Sequence, residues 1–126
     1  MSDRAVIFPA FRFLILVKDS HGGETPLGGF AEASLPRKVK GLHKAGDVTL
    51  KRGVVNSQAL FNWLHTMRSL RDAVLMMRDE AGAIVGLWNI SKSHVTKYEG
   101  PSLNDKSGDV EMEELVLGYE RLEWVP

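Results

Sequence analysis

The side chains able to do chemistry are few, and their spacing brings few of them together. Four histidines, His21, His43, His65 and His94, stand far apart in the chain. There is no H-x-x-x-H pair and no HExxH motif, so the spacing offers no metal cradle. Ser34, Ser57, Ser91 and Ser93 lie in no nucleophile-elbow pattern. The pairs Gly22-Gly23 and Gly28-Gly29 belong to no G-x-G-x-x-G run, and neither opens a helical pattern, as a phosphate cradle would require. Glu113 and Glu114 are adjacent carboxylates. Neighbours on a strand point to opposite faces, so these two cannot act on one substrate without a bulge between them. A solvated edge or a bulge is their expected role. With Cys 0 among 126 residues, disulfides, thiolate metal sites and a cysteine nucleophile are excluded. The expectation is no catalytic residue, no cofactor and no metal.

Charge is more informative than nucleophiles. Lys+Arg 16 balance Asp+Glu 16, which disfavours a globally basic nucleic-acid wrapper or a polybasic membrane binder. The neutral total hides two opposite clusters. Arg37, Lys38, Lys40, Lys44, Lys51 and Arg52 are opposed locally only by Asp47. Asp105, Asp109, Glu111, Glu113, Glu114, Glu120 and Glu123 have only Lys106 and Arg121 among them. Three readings fit. The basic stretch contacts nucleic acid, although it lacks the interleaved aromatics of a stacking platform. It is a solvated loop. Or the basic loop of one copy meets the acidic region of another, a head-to-tail contact that builds filaments when it does not close. The third reading makes Arg37, Lys38, Lys40, His43, Lys44, Glu111, Glu113, Glu114 and Tyr119 the candidate assembly residues.

The elements that must position these charges are mostly strands. Residues 11–17 alternate, with Phe11, Phe13, Ile15 and Val17 on one face and a largely apolar second face. Residues 26–33 and 47–51 give weaker, shorter strands. Asn56 or Ser57 can cap a helix whose apolar stripe is Leu60, Phe61, Leu64 and Met67, with Trp63 at its edge and an end near Leu70. Residues 73–77 and 83–90 form a hairpin through Asp79-Glu80-Ala81-Gly82, and both its strands are apolar on both faces. The last stretch, 110–125, alternates with two slips of phase, at Glu113-Glu114 and at Glu120-Arg121, as β-bulges would produce. Strands that bend suit a small barrel or a coiled antiparallel sheet. The predicted fold is mainly β with one flanking helix (α+β), a single domain over 1–126 that completes its burial by oligomerising. No apolar run approaches the roughly 20 residues of a membrane helix, and the first ten residues make a poor signal peptide. A soluble protein made in the cytoplasm, with no membrane anchor, is expected.

An ordered set of short segments carries a resemblance. Phe11-Arg12-Phe13, Gly29-Phe30-Ala31-Glu32, Gly41-Leu42-His43-Lys44 and Val48-Thr49-Leu50-Lys51-Arg52-Gly53 come first. Leu60-Phe61-Asn62-Trp63, Trp88-Asn89, the run from Lys97 to Asn104 and the stretch from Leu115 to Glu123 follow. Together they resemble the inner tail-tube proteins of contractile phage tails and extracellular injection particles, over nearly the whole chain. The resemblance implies a small barrel similar to the type VI secretion tube protein, and hexameric rings stacked into a hollow tube inside a contractile sheath. The implied partners are the chain itself, a sheath protein, baseplate or tube-initiator proteins and cargo in the lumen. The implied setting is a phage tail or an extracellular injection particle, and no enzymatic activity. One departure from the family pattern stands out: the span from Ala33 to Gly41 is short where relatives carry an extra hairpin. A tube-initiating or baseplate-proximal ring is therefore an alternative, and a nucleic-acid-binding β-barrel is another. A small hydrolase or isomerase barrel would need a convergent polar pocket for which the sequence provides no residue pair.

Overall fold

The computed structural model describes residues 11–18, 23–35, 42–65, 70–100 and 112–125. Six strands and one helix follow in the order β1 (Phe13–Lys18), β2 (Glu24–Ser34), β3 (Leu42–Val55), α1 (Ser57–His65), β4 (Arg71–Arg78), β5 (Ile84–Glu99) and β6 (Glu113–Trp124). The strands close into an antiparallel barrel in the order β1-β2-β3-β6-β5-β4, with β4 returning to β1. The barrel interior holds the core: Ile15, Leu27, Phe30, Val48, Leu50, Leu75, Ile90, Leu115, Leu117 and Leu122 are fully buried.

The barrel is strongly staggered. A path across paired residues runs Val55, Gly28, Ile15, Leu75, Trp88, Trp124. It returns to β3 beside Leu42, which pairs with Glu123. The path thus comes back some thirteen positions from its start. Closing so few strands around a packed core requires this tilt. It also explains why β3, β5 and β6 are long.

Three strands switch their inward face along their length. On β3 the buried positions run Val48, Leu50, then Gly53, Val55; on β5 they run Trp88, Ile90, then Ser93; on β6 they run Leu117, Tyr119, then Leu122. Two of the switches sit beside residues forced to positive φ, Arg52 (φ 59) and Lys92 (φ 51). Left-handed backbone in a non-glycine residue costs about 1–2 kcal/mol, so the closed ladder around it must hold it in place. Gly53, next to Arg52, allows two backbones to touch. A Cβ there would lie 2.0 Å from the Gly29 carbonyl oxygen.

The expected slip at Glu120-Arg121 is present. The expected slip at Glu113-Glu114 is not: Glu113 is buried, in phase with Leu115 and Leu117. The short strand expected over 47–51 runs from Leu42 to Val55, and the strand expected to end at Ile90 continues to Glu99. Bulges hide both extensions from a simple alternation count. The hairpin of β4 and β5 is as expected. Gly82 (φ 90) closes the turn, and Asp79 Oδ1 accepts from the N–H groups of Ala81 and Ala83 at 2.9 Å each.

Asn56 caps α1: its Oδ1 accepts from Ala59 N–H at 3.2 Å. Its own N–H donates to the Leu27 carbonyl at 2.7 Å, which ties the helix start to β2. The inward stripe differs from the expected one. Leu60 and Trp63 are buried in the core cluster, whereas Phe61 and Leu64 are exposed. Trp63 sits three residues after Leu60, on the same face, and its area outweighs that of the smaller Leu64. Met67 lies outside the described residues.

Candidate assembly surface

Glu113 is turned into the barrel and bonded within the subunit. Its Oε1 accepts from Val55 N–H at 2.9 Å, and its Oε2 accepts from the Tyr98 hydroxyl. It therefore braces the end of β3 against β5, just before the helix cap. This corrects the expectation of a solvated role. Tyr119 is also buried, lying over Gly46, where an added Cβ would come 2.8 Å from the phenolic oxygen. Burial first, and the Asp47 charge second, push the Tyr119 phenol above the usual tyrosine range.

Other candidate residues do face solvent. Glu114 receives Lys97 Nζ at 3.7 Å, and Glu99 receives the same ammonium at 3.3 Å. The hydrogen bond that Lys97 donates to Glu99, and then the two carboxylate charges, hold Lys97 protonated to higher pH than usual. Lys44 is exposed on β3, opposite Arg121 of β6. His43 lies on β3 opposite Leu122. Arg37, Lys38, Lys40 and Glu111 fall outside the described residues, as do Asp105 and Asp109. Lys51 and Arg52 are exposed, with Arg52 Nε 3.6 Å from Glu32.

The basic and acidic segments are thus neighbours within one chain, because β3 and β6 are hydrogen-bonded along their length. Yet among the described residues of the two segments no basic side chain is paired with an acidic one. Lys44 faces another cation across the ladder. Around it lies an open depression of about 730 Å³ lined by Lys44, Asp72, Ser91, Lys92, Glu120 and Arg121. Lys92 Nζ is 3.5 Å from Glu120, and Lys92 N–H donates to Asp72 Oδ1 at 3.1 Å. Sequence reasoning left Tyr98, Lys92 and Arg121 out of the candidate set. Only the period-two row Glu113, Leu115, Leu117, Tyr119 could have exposed the inward brace.

The ladder leaves two stretches paired on one side. β5 pairs with β4 only up to Ser93, but with β6 out to Glu99. β3 pairs with β2 only from Thr49 onward, but with β6 from Leu42. Among the described residues, 94–99 of β5 and 42–48 of β3 therefore keep an open edge. Exposed apolar side chains stand near both, Tyr98 on the first and Leu42 on the second.

The family profile described as T4-like virus tail tube protein gp19 matches residues 16–123. That span starts within β1, covers β2 to β5 and the helix, and ends one residue short of the end of β6. The chain belongs to the T4-like tail tube protein family. Solved structures share its fold. A chain from the cryo-EM structure of an extracellular contractile injection system, the PVC sheath/tube terminator in its extended state, is 21% identical with a TM-score of 0.61; 94% of this chain and 96% of that one are covered. A chain of the PVC sheath-tube complex is 19% identical, with a TM-score of 0.58 and 99% of each chain covered. Hcp1 from Flavobacterium johnsoniae is 13% identical, with a TM-score of 0.58, covering 90% of this chain and 94% of that one. No curated protein matches the chain significantly by sequence. The tail tube family membership accounts for the mainly β barrel with one helix, as expected from the sequence.

Proposed function

We propose that this tail tube protein is the repeating subunit of the inner tube of a contractile tail or injection particle. Copies close into hexameric rings, and rings stack into a hollow conduit for DNA or protein. The observation that carries this reading is the pair of strand ends that, among the described residues, stay half-open on an otherwise closed barrel. An open edge in a monomer is an aggregation hazard, whereas in a ring it becomes the joint that continues the sheet from copy to copy. The role is mechanical rather than catalytic: a hydrogen-bonded wall that a contracting sheath drives forward. A sheath protein outside and a baseplate or initiating ring at one end are the proposed partners. Solved relatives in sheath-tube and baseplate assemblies support that choice. Synthesis in the bacterial cytoplasm precedes assembly into the particle.

The test is direct. Purified protein is examined by sedimentation and negative-stain electron microscopy at high concentration, alone and co-expressed with its sheath. Rings or tubes of one diameter are expected. A protein that stays monomeric in both settings overturns the proposal.

A further inference from the structure

Lys44, Arg121 and Ser91 form one row across three strands, since Lys44 pairs with Arg121 and Arg121 pairs with Ser91. Residues directly opposite on an antiparallel ladder share a face, and like charges placed so repel. Both cations are exposed, and among the described residues neither makes an ion pair with a carboxylate. Of the nearby acids, Glu120 is engaged by Lys92, and Asp72 accepts from the Lys92 backbone. The lining sets three cations, Lys44, Lys92 and Arg121, against two carboxylates, Asp72 and Glu120, so the depression keeps a net positive charge. At the far end of the same ladder the imbalance is reversed: one ammonium, Lys97, serves two carboxylates, Glu99 and Glu114. Glu114 and Arg121 stand seven positions apart on β6, about 23 Å along a strand. Complementary charges held that far apart on a rigid ladder cannot meet within one subunit.

We infer that they meet between subunits: the Glu99/Glu114 tip of one copy docks on the Lys44–Arg121 row of the next. This inference rests on the tube reading and names the residues that fix its register. The contact is heterologous, a tip into a depression, so each copy offers both halves and the assembly is polar. Exposed charges set register and encounter more than affinity. The open β5 edge beside the tip supplies the backbone bonds, and the charges choose where they form.

The experiment uses the full chain and three variants: Lys44→Glu/Arg121→Glu, Glu99→Lys/Glu114→Lys, and the four substitutions together. Circular dichroism checks that each is folded. Sedimentation and electron microscopy at low ionic strength read assembly. Each double variant should need at least about a tenfold higher concentration than wild type to assemble. The fourfold swap, and an equimolar mixture of the two double variants, should assemble near the wild-type concentration. Double variants that assemble like wild type overturn the contact. So does a loss that neither the swap nor the mixture restores, since it assigns these residues to something other than each other. A wild type that never oligomerises overturns the tube reading itself, and with it this contact.

Discussion

Two residues carry the physics that the bare pattern understates. Glu113 places a carboxylate inside the barrel and uses it to hold Val55 N–H and the Tyr98 hydroxyl. Removing a buried acceptor exposes its donors to the full loss of that bond, about 1–3 kcal/mol. Glu113→Ala should lower unfolding stability in urea by that amount, and Glu113→Gln, which keeps an acceptor, by less. Tyr119 gives a pH signature. Its phenol titrates higher in the fold than in the unfolded chain, because burial and Asp47 oppose the phenolate. The folded state thus binds that proton more tightly. The contribution is fully present below the unfolded tyrosine value, about 10, and is lost as pH rises through the folded one. Wild type should lose stability above about pH 10, and Tyr119→Phe should lose less. Alkaline unfolding followed by fluorescence would show it.

At the scale of elements, α1 is held by one side only among the described residues. Asn56 fixes its start on β2, and Leu60 with Trp63 fixes its inner face. Phe61 is 62% exposed, and among the described residues its ring makes an edge-on contact with His65, centroids 4.4 Å apart. Trp63→Ala should therefore cost about 3–5 kcal/mol in urea unfolding of the dissociated subunit, while Phe61→Ala stays within about 0.5 kcal/mol. Equal losses would mean that the helix packs by its other face. The strands show why element ends were hard to read. An alternation count stops at a bulge, so β3 and β5 looked short, although the chain passes through Arg52 and Lys92 and continues with the opposite face inward.

At the scale of the whole molecule, closure and overhang coexist. The closed belt through Ile15, Leu75 and Trp88 has partners on both sides, whereas 94–99 of β5 has one among the described residues. Hydrogen exchange on dissociated subunits should show slow amides in the belt and fast ones over 95–99 and 44–48. On assembled particles the second group should slow by at least tenfold. Overhangs that exchange as fast in rings as in monomers would mean that the joint lies elsewhere. Closure buries one face of the apolar strands inside a single barrel. What remains for neighbours is edge, charge and the exposed apolar side chains, Phe61, Leu64, Ile84 and Val85 among them.

The sequence by itself determined the class: period-two runs with bending strands, one capped amphipathic segment, no disulfide chemistry and an ordered set of tube-family segments. These are local quantities, set by propensity and by spacing along the chain. Only the tertiary structure decided which charges are neighbours. It turned Glu113 inward, set Lys44 against Arg121 rather than against an acid, and put Glu99 and Glu114 at the opposite end of the same ladder. The reason is register. The bulges at Arg52 and Lys92 reverse the facing of the rest of their strands, and pairing across a staggered barrel joins positions tens of residues apart, a relation that no local window contains.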